Sequence, residues 1–115
     1  MRSHSVGKNL TANTLTTLFT IPIRNIATAH DILMTNRGVG NKHISIYWYD
    51  KSDNVTIEVV HERVITSKTS AVIDSTFSFI MDEGDELRVI SETGSTITVV
   101  ATFDIDARTS IQNFT

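Results

Sequence analysis

Apolar and polar residues alternate with a period of two along much of the chain, which is the pattern of half-buried β-strands. The alternation is strongest in residues 97–105, and it is also clean in residues 43–49. The predicted core consists of the inward residues of these and two further segments: Ile44, Ile46, Trp48, Phe77, Phe79, Leu87, Val89, Ile97, Val99, Ala101, Phe103 and Ile105. We expect Trp48 to lie at the centre of this core.

The remaining strands have weaker patterns. Residues 15–21 are β-branched, and Pro22 then removes a backbone donor, which places this strand at a sheet edge or ends it. Residues 26–36 and 72–81 also have strand patterns. Residues 55–65 change parity halfway, so we expect a β-bulge near Val59 and Val60, since one inserted residue switches the inward face.

Short strands at regular spacing, with no helical period between them, predict an all-β fold. We expect an antiparallel, jelly-roll-like β-sandwich of about seven or eight strands over residues 14–105. Residues 1–13 and 106–115 are polar and are expected to be an N-terminal arm and a C-terminal tail. A helix over residues 23–33 is the competing interpretation, but its β-rich surroundings favour strand or loop.

Composition supports the sheet prediction and excludes several classes of protein. Val, Ile and Thr make up 41 of the 115 residues, and there is no cysteine, which excludes disulfides, cysteine-based metal sites and a cysteine nucleophile. The net charge of -3 and the scattered arginines argue against a nucleic-acid partner. We expect no membrane partner either, because no long apolar run or signal-peptide pattern is present.

The sequence offers little catalytic or metal-binding chemistry. His43 and His61 could approach across adjacent strands with Glu58 or Glu62 nearby, but strand histidines more often lie on the surface. The acidic group at residues 82–86 has the composition of a solvated turn. No nucleophile elbow or phosphate loop is present, so we expect no enzyme, metal or cofactor, although a Ser-His-Asp site assembled from distant strands stays open.

Two outward tyrosines on one strand are the main candidates for binding. Tyr47 and Tyr49 lie opposite the Trp48 face, and tyrosine buries a large area at low entropic cost. They are interpreted first as a protein interface and second as a platform for stacking sugars. Within the terminal segments, the isolated apolar residues Leu10, Ile111 and Phe114 are further interface candidates.

The order of segments resembles small virion proteins of tailed bacteriophages. The resemblance covers about residues 11–105 and rests on three features: the strand end Met34-Thr35-Asn36, the aromatic strand at residues 44–50, and the acidic Gly-Asp turn at residues 81–89. These motifs are structural rather than catalytic. The resemblance implies a β-sandwich and a place in the particle, without separating head, neck and tail.

The functional expectation follows from this resemblance. The leading hypothesis is a capsid decoration or cement protein, synthesised in the host cytoplasm, that binds the major capsid protein or other virion proteins and stabilises the outer head lattice. A homo-oligomer is expected, with a trimer as the first choice on resemblance. The alternatives are a tail, neck or fibre-adaptor component and, more distantly, a carbohydrate-binding module.

Overall fold

A computed structural model describes residues 2–73, 79–92 and 96–107. The described residues contain strands and loops, and the helix considered for residues 23–33 is replaced by a turn and a long strand. The nine strands are β1 (Arg2–Asn9), β2 (Thr16–Thr20), β3 (Asn25–Asn36), β4 (Lys42–Asp50), β5 (Val55–Ile65), β6 (Ser70–Ile73), β7 (Phe79–Met81), β8 (Glu86–Ser91) and β9 (Ile97–Ala107).

The strands form two antiparallel sheets with jelly-roll connectivity. Sheet A has the order β1-β9-β3-β6, with β7 also pairing with β3, and sheet B has the order β2-β8-β4-β5. The chain crosses between the sheets so that strands distant in sequence become neighbours, as in two interleaved Greek keys. The predicted all-β antiparallel sandwich is confirmed, with nine strands in the described residues where about seven or eight were expected. The prediction that the strand before Pro22 is an edge strand is also confirmed, because β2 ends sheet B.

The core lies between the two sheets and follows the period-two pattern. The inward row of β9 is buried from Ile97 to Ile105, with an exposed fraction of 0% at Phe103. The buried apolar residues are Leu10, Leu18, Ile21, Ala27, Ala29, Ile32, Met34, Ile44, Ile46, Ile65, Ile73, Met81, Leu87, Val89, Ile97, Val99, Ala101, Phe103 and Ile105. Phe79 is partly buried against this core, and Phe77 lies outside the described residues.

Trp48 is not the centre of the core. It lies near the end of β4, packs against the core while only partly buried, and donates its indole N–H to Asp85 at 3.0 Å. A buried indole needs a polar partner, and that partner lies at the end of the sandwich. The aromatic centre is Phe103, whose ring centroid is 4.9 Å from that of Phe19 on the opposite sheet.

The expected N-terminal arm is largely a strand of the sandwich. β1 pairs with β9 over its whole length, from Arg2 opposite Ile105 to Asn9 opposite Thr98. Leu10 follows as a buried core residue, so its assignment to an interface is wrong. The backbone N–H of Leu10 donates to the Ile97 carbonyl, and this hydrogen bond continues the pairing with β9 beyond the end of β1. The expected tail also begins as strand, because β9 runs to residue 107, whereas residues 108–115 lie outside the described ones.

The predicted bulge in β5 is confirmed. The pairing of β4 with β5 passes from Ile46 opposite Val60 to Tyr47 opposite Glu58, which leaves Val59 as an inserted residue. A second shift lies between Ile44 and Ile46. Each insertion changes the parity of β5, which explains why neither of its faces is wholly apolar.

Two buried polar side chains fix the loops at opposite ends of the sandwich. Asp85 has an exposed fraction of 2%, so the acidic turn is not wholly solvated as expected. Its carboxylate accepts hydrogen bonds from the Trp48 indole and from the backbone N–H groups of Lys51 and Asp82, at 2.9–3.0 Å. One side chain therefore joins the β4–β5 turn to the β7–β8 turn.

Asn36 performs the same task at the other end. Its side-chain amide donates to the carbonyls of Gly40 and Ile65, at 2.9 and 3.1 Å. Its side-chain oxygen accepts from the Gly38 N–H at 3.1 Å and from the Thr96 hydroxyl at 2.6 Å. The side chain is fully buried, and its two donors and one acceptor are all used.

Candidate functional site

A polar cleft on the outer face of sheet B brings several titratable side chains together. The cleft encloses about 200 Å³ and is bordered by β4, β5, the end of β8 and Asn13. Its titratable lining consists of His43, Tyr47, Glu58, His61, Glu62 and Glu92. The four residues that the sequence suggested could meet, His43, His61, Glu58 and Glu62, are therefore in one cleft.

Strand geometry explains how these side chains meet. On β4, His43, Ser45 and Tyr47 share the outward face because alternate residues point the same way. On β5, the two bulges bring both His61 and Glu62 to the same cleft. Glu62 has a φ of 45°, and its backbone N–H donates to the Ser45 hydroxyl at 2.9 Å. This hydrogen bond holds the second bulge in a left-handed conformation that glutamate rarely adopts.

The shortest ionic contact in the cleft joins His61 to Glu58. The two atoms, His61 Nδ1 and Glu58 Oε2, are 2.9 Å apart, and His61 Nε2 lies 3.6 Å from Glu62 Oε1. The hydrogen bond between His61 and Glu58 raises the pKa of His61 and lowers the pKa of Glu58, because it favours the charged form of each. The contact stabilises the fold most between about pH 4.5 and 6.5, the ordinary pKa values of the two groups. It weakens above that range as His61 loses its proton, and below it as Glu58 gains one.

We expect Glu58→Gln to lower the pKa of His61 towards the ordinary histidine value. The substitution keeps the size of the side chain and removes the charge that holds the proton on the imidazole. An NMR titration of the His61 ring protons measures the shift. Glu92→Gln is the matched control in the same cleft and should leave the pKa of His61 unchanged. An equal shift in both variants would contradict this assignment.

A second contact between a histidine and a glutamate, His43 and Glu92, lies in the same cleft. The Glu92 carboxylate accepts the backbone N–H of His43 at 2.8 Å, and its other oxygen lies 3.7 Å from His43 Nε2. The backbone N–H of Glu92 in turn donates to the His43 carbonyl. Glu92 is thus fixed by β4 at the point where β8 ends.

The two tyrosines have different surroundings. Tyr47 lines the cleft. The pKa of its hydroxyl is raised, mainly because of burial and secondly because of the negative charge of Glu58. Tyr49 lies farther along β4, where the Arg88 guanidinium carbon is 4.3 Å from the centroid of its ring. Its hydroxyl donates to the Asn54 side chain at 2.8 Å. Since Arg88 covers one face of Tyr49, the tyrosines do not form one continuous stacking platform.

The other histidines lie away from the cleft. His4 packs against Phe19, and His30 lies between Asp31 and Asp104 on sheet A. Across the described ranges, no group of three or more His, Asp or Glu side chains is arranged to hold a metal ion. In the same ranges, no helix has the length and apolar character needed to cross a membrane.

Sequence patterns alone did not assign Glu92, Ser45 or Asn13 to this site. Glu92 follows β8 and reaches the cleft because β8 is the neighbour of β4, although nearly 50 residues separate Glu92 from His43. Asn13 lies in the segment expected to be an arm and has a φ of 54°. No local sequence signal reports such proximity, since it depends on the order of strands in the sheet.

Three exposed apolar side chains on the outer face of sheet A are a further feature of the described surface. Leu33 and Val72 are opposite each other on β3 and β6, with exposed fractions of 40% and 54%. Ile80 on β7 is 63% exposed. We call these three residues the sheet A patch. Of the interface candidates named from sequence, Ile111 and Phe114 lie outside the described residues.

Comparisons with solved structures show which proteins share this fold. No protein-family model and no curated protein matches the sequence. A chain of the T13 viral particle of infectious bursal disease virus has a TM-score of 0.60 at 10% identity, with 90% of this chain and 30% of the viral chain covered. The Gx strain of that virus gives a TM-score of 0.60 at 10% identity, with 90% of this chain and 32% of the viral chain covered.

A bacterial structure also shares the fold. A chain of Bacillus endospore appendages, described as disulfide-linked pili, has a TM-score of 0.55 at 16% identity, with 94% of this chain and 88% of that chain covered. This chain spans about a third of the viral chains and most of the appendage chain. At these identities, the similarity establishes a shared β-sandwich fold.

Proposed function

We propose that this chain is a structural protein of a virus particle. The observation that carries the proposal is the match over 90% of the chain to a chain of an icosahedral viral particle. The match to an appendage chain supports a structural rather than an enzymatic role in the same way. Disulfide linkage of the kind that names those pili is not open to these 115 residues, which contain no cysteine.

Within that role, we propose a decoration or cement protein on the head of a tailed bacteriophage, bound to the major capsid protein. The resemblance of the strand-end and acidic-turn motifs supports the bacteriophage assignment. The sheet A patch supports the docking step. Its three apolar side chains are exposed on one sheet face, and a partner that covers them removes apolar surface from water, which favours binding. The acidic chain remains dispersed before assembly through its net charge of -3.

We further propose a homo-oligomer, with a trimer as the first choice. Tyr49, Ile111 and Phe114 are the proposed contacts between copies, while Tyr47 lines the cleft. Sedimentation equilibrium on the purified chain measures the number of copies directly. A monomer at all concentrations would contradict this part of the proposal.

Adding purified protein to particles that lack it tests the decoration role. We expect saturable binding and a higher temperature of particle disruption, because each bound copy bridges neighbouring capsid subunits. Leu33→Glu with Val72→Glu should abolish both effects without unfolding the chain, since both side chains are exposed. Val39→Glu, at an exposed loop position outside the patch, is the control and should bind normally.

A tail, neck or fibre-adaptor component is the second candidate within the same class. The two roles differ in the number of copies per particle, which is high for a protein that covers the head lattice and low for one that joins the head to the tail. Quantitative mass spectrometry of purified particles measures that number. Absence of the chain from the particle would overturn both candidates.

A further inference from the structure

We propose that the cleft on the outer face of sheet B binds a single residue of a neutral polyhydroxylated ligand, such as one sugar ring of a glycan. The cleft of about 200 Å³ is smaller than the roughly 300–1,000 Å³ typical of drug-sized ligands. It therefore suits one ring rather than an extended small molecule. The inference goes beyond the role in the particle and does not depend on it.

The chemistry of the lining matches hydroxyl groups, which both donate and accept hydrogen bonds. Glu58, Glu62 and Glu92 supply carboxylate oxygens, which accept charge-assisted hydrogen bonds from hydroxyl donors. The imidazoles and the hydroxyls of Tyr47 and Ser45 can donate or accept. A carboxylate with two oxygens can take two neighbouring hydroxyls of a ring, which fixes its orientation.

The carboxylates are held in place before any ligand arrives. His61 holds one oxygen of Glu58 at 2.9 Å, and the backbone N–H of His43 holds one oxygen of Glu92 at 2.8 Å. Preorganised groups lose less side-chain entropy when they bind. Both carboxylates are consequently positioned by residues of β4 and β5.

The histidines favour a neutral ligand over a cation. A cationic group would meet three carboxylates, each of which already lies within 4 Å of an imidazole nitrogen: Glu58 and Glu62 beside His61, and Glu92 beside His43. A protonated His61 partly neutralises Glu58 and Glu62 and so weakens their attraction for a cation. The described residues also bring together no group of ligands suited to a metal ion.

The backbone around the cleft supports a binding role. Five described residues other than glycine have positive φ, and two of them, Asn13 and Glu62, line this cleft. Left-handed backbone at a non-glycine residue is strained, and such strain is concentrated at functional sites. Glycine at position 62 would relieve that strain, because glycine adopts positive φ without a steric penalty.

A glycan array followed by NMR titration with the free sugars of any binding glycan tests the proposal. We expect at least one glycan to bind, with chemical shift changes centred on His43, Tyr47 and His61. Tyr47→Ala and Glu58→Gln should each weaken binding at least tenfold. Tyr49→Ala is the matched control and should bind normally, because Arg88 already covers that ring.

Glu62→Gly separates a binding role from a structural one. We expect this variant to keep or raise the melting temperature and to lose affinity for the sugar. If Glu62 had only a structural role, the substitution would leave the affinity for the sugar unchanged or would lower it together with the melting temperature. The proposal is overturned if no glycan on the array binds, if binding survives both Tyr47→Ala and Glu58→Gln, or if lysine or spermidine binds in place of sugars. None of these results would affect the particle-binding experiment.

Discussion

Asp85→Ala is expected to lower the free energy of unfolding by about 3–5 kcal/mol. The substitution leaves the Trp48 indole and two backbone N–H groups without their acceptor, and it empties the site of a carboxylate that is almost fully buried. A buried donor that loses its partner costs about 1–3 kcal/mol, and three partly buried donors are affected. Urea denaturation followed by far-UV circular dichroism measures the loss.

The exposed turn that Asp85 joins provides the control. Asp53→Ala removes a carboxylate from the β4–β5 turn at an exposed position, and we expect a change below about 0.5 kcal/mol. Tryptophan fluorescence adds a local measurement, because Trp48 should change its emission in the Asp85 variant only. Equal stability of the two variants would show that the hydrogen bonds of Asp85 do not support the fold.

Asn36→Asp should destabilise the protein by about 3 kcal/mol or more at pH 7. The new carboxylate would be fully buried and would face the carbonyl oxygens of Gly40 and Ile65, which now accept from the amide. Both effects disfavour the ionised form, so the pKa of this carboxyl in the folded state would lie above its value in the unfolded chain.

The sign of the pH dependence distinguishes this explanation from a simple loss of packing. A raised pKa in the folded state means that the variant gains stability as the pH falls, because the neutral carboxyl is the form that the site accepts. The difference from the unsubstituted protein should therefore narrow between pH 7 and about pH 4. Asn41→Asp is the control, since Asn41 is exposed and its side chain accepts the Ser67 N–H, which a carboxylate also accepts. A difference independent of pH would contradict the account of Asn36.

The period-two pattern predicted the fold class and nine of the nineteen buried apolar residues in the described part of the chain. In β9, the inward row could be assigned residue by residue, because alternation is a local property of an extended chain and one face must be buried. The bulge in β5 was predictable for the same reason, since a change of parity within one strand requires an inserted residue. These inferences needed no knowledge of which strands are neighbours.

The predictions from sequence were wrong where burial depends on pairing between strands that are distant in the chain. Leu10 and β1 look polar and isolated in sequence, but β9 supplies the pairing edge and the core supplies the pocket for Leu10. Trp48 has the right parity for the core, yet its position near the end of β4 places it at the border, beside the carboxylate that its indole requires. Parity predicts which way a side chain points and not how deeply it is covered.

By itself, the sequence determined that this chain builds strands, which faces of β4, β8 and β9 are buried, and that Tyr47 and Tyr49 point outward. Only the tertiary structure decided that Asp85 and Asn36 are buried, that Arg88 covers Tyr49, and that Glu92 joins His43 in the cleft. The physical reason is the same in each case. Alternation is set by neighbouring residues, whereas burial of a polar group and the formation of a site depend on which strands the jelly-roll connectivity brings side by side.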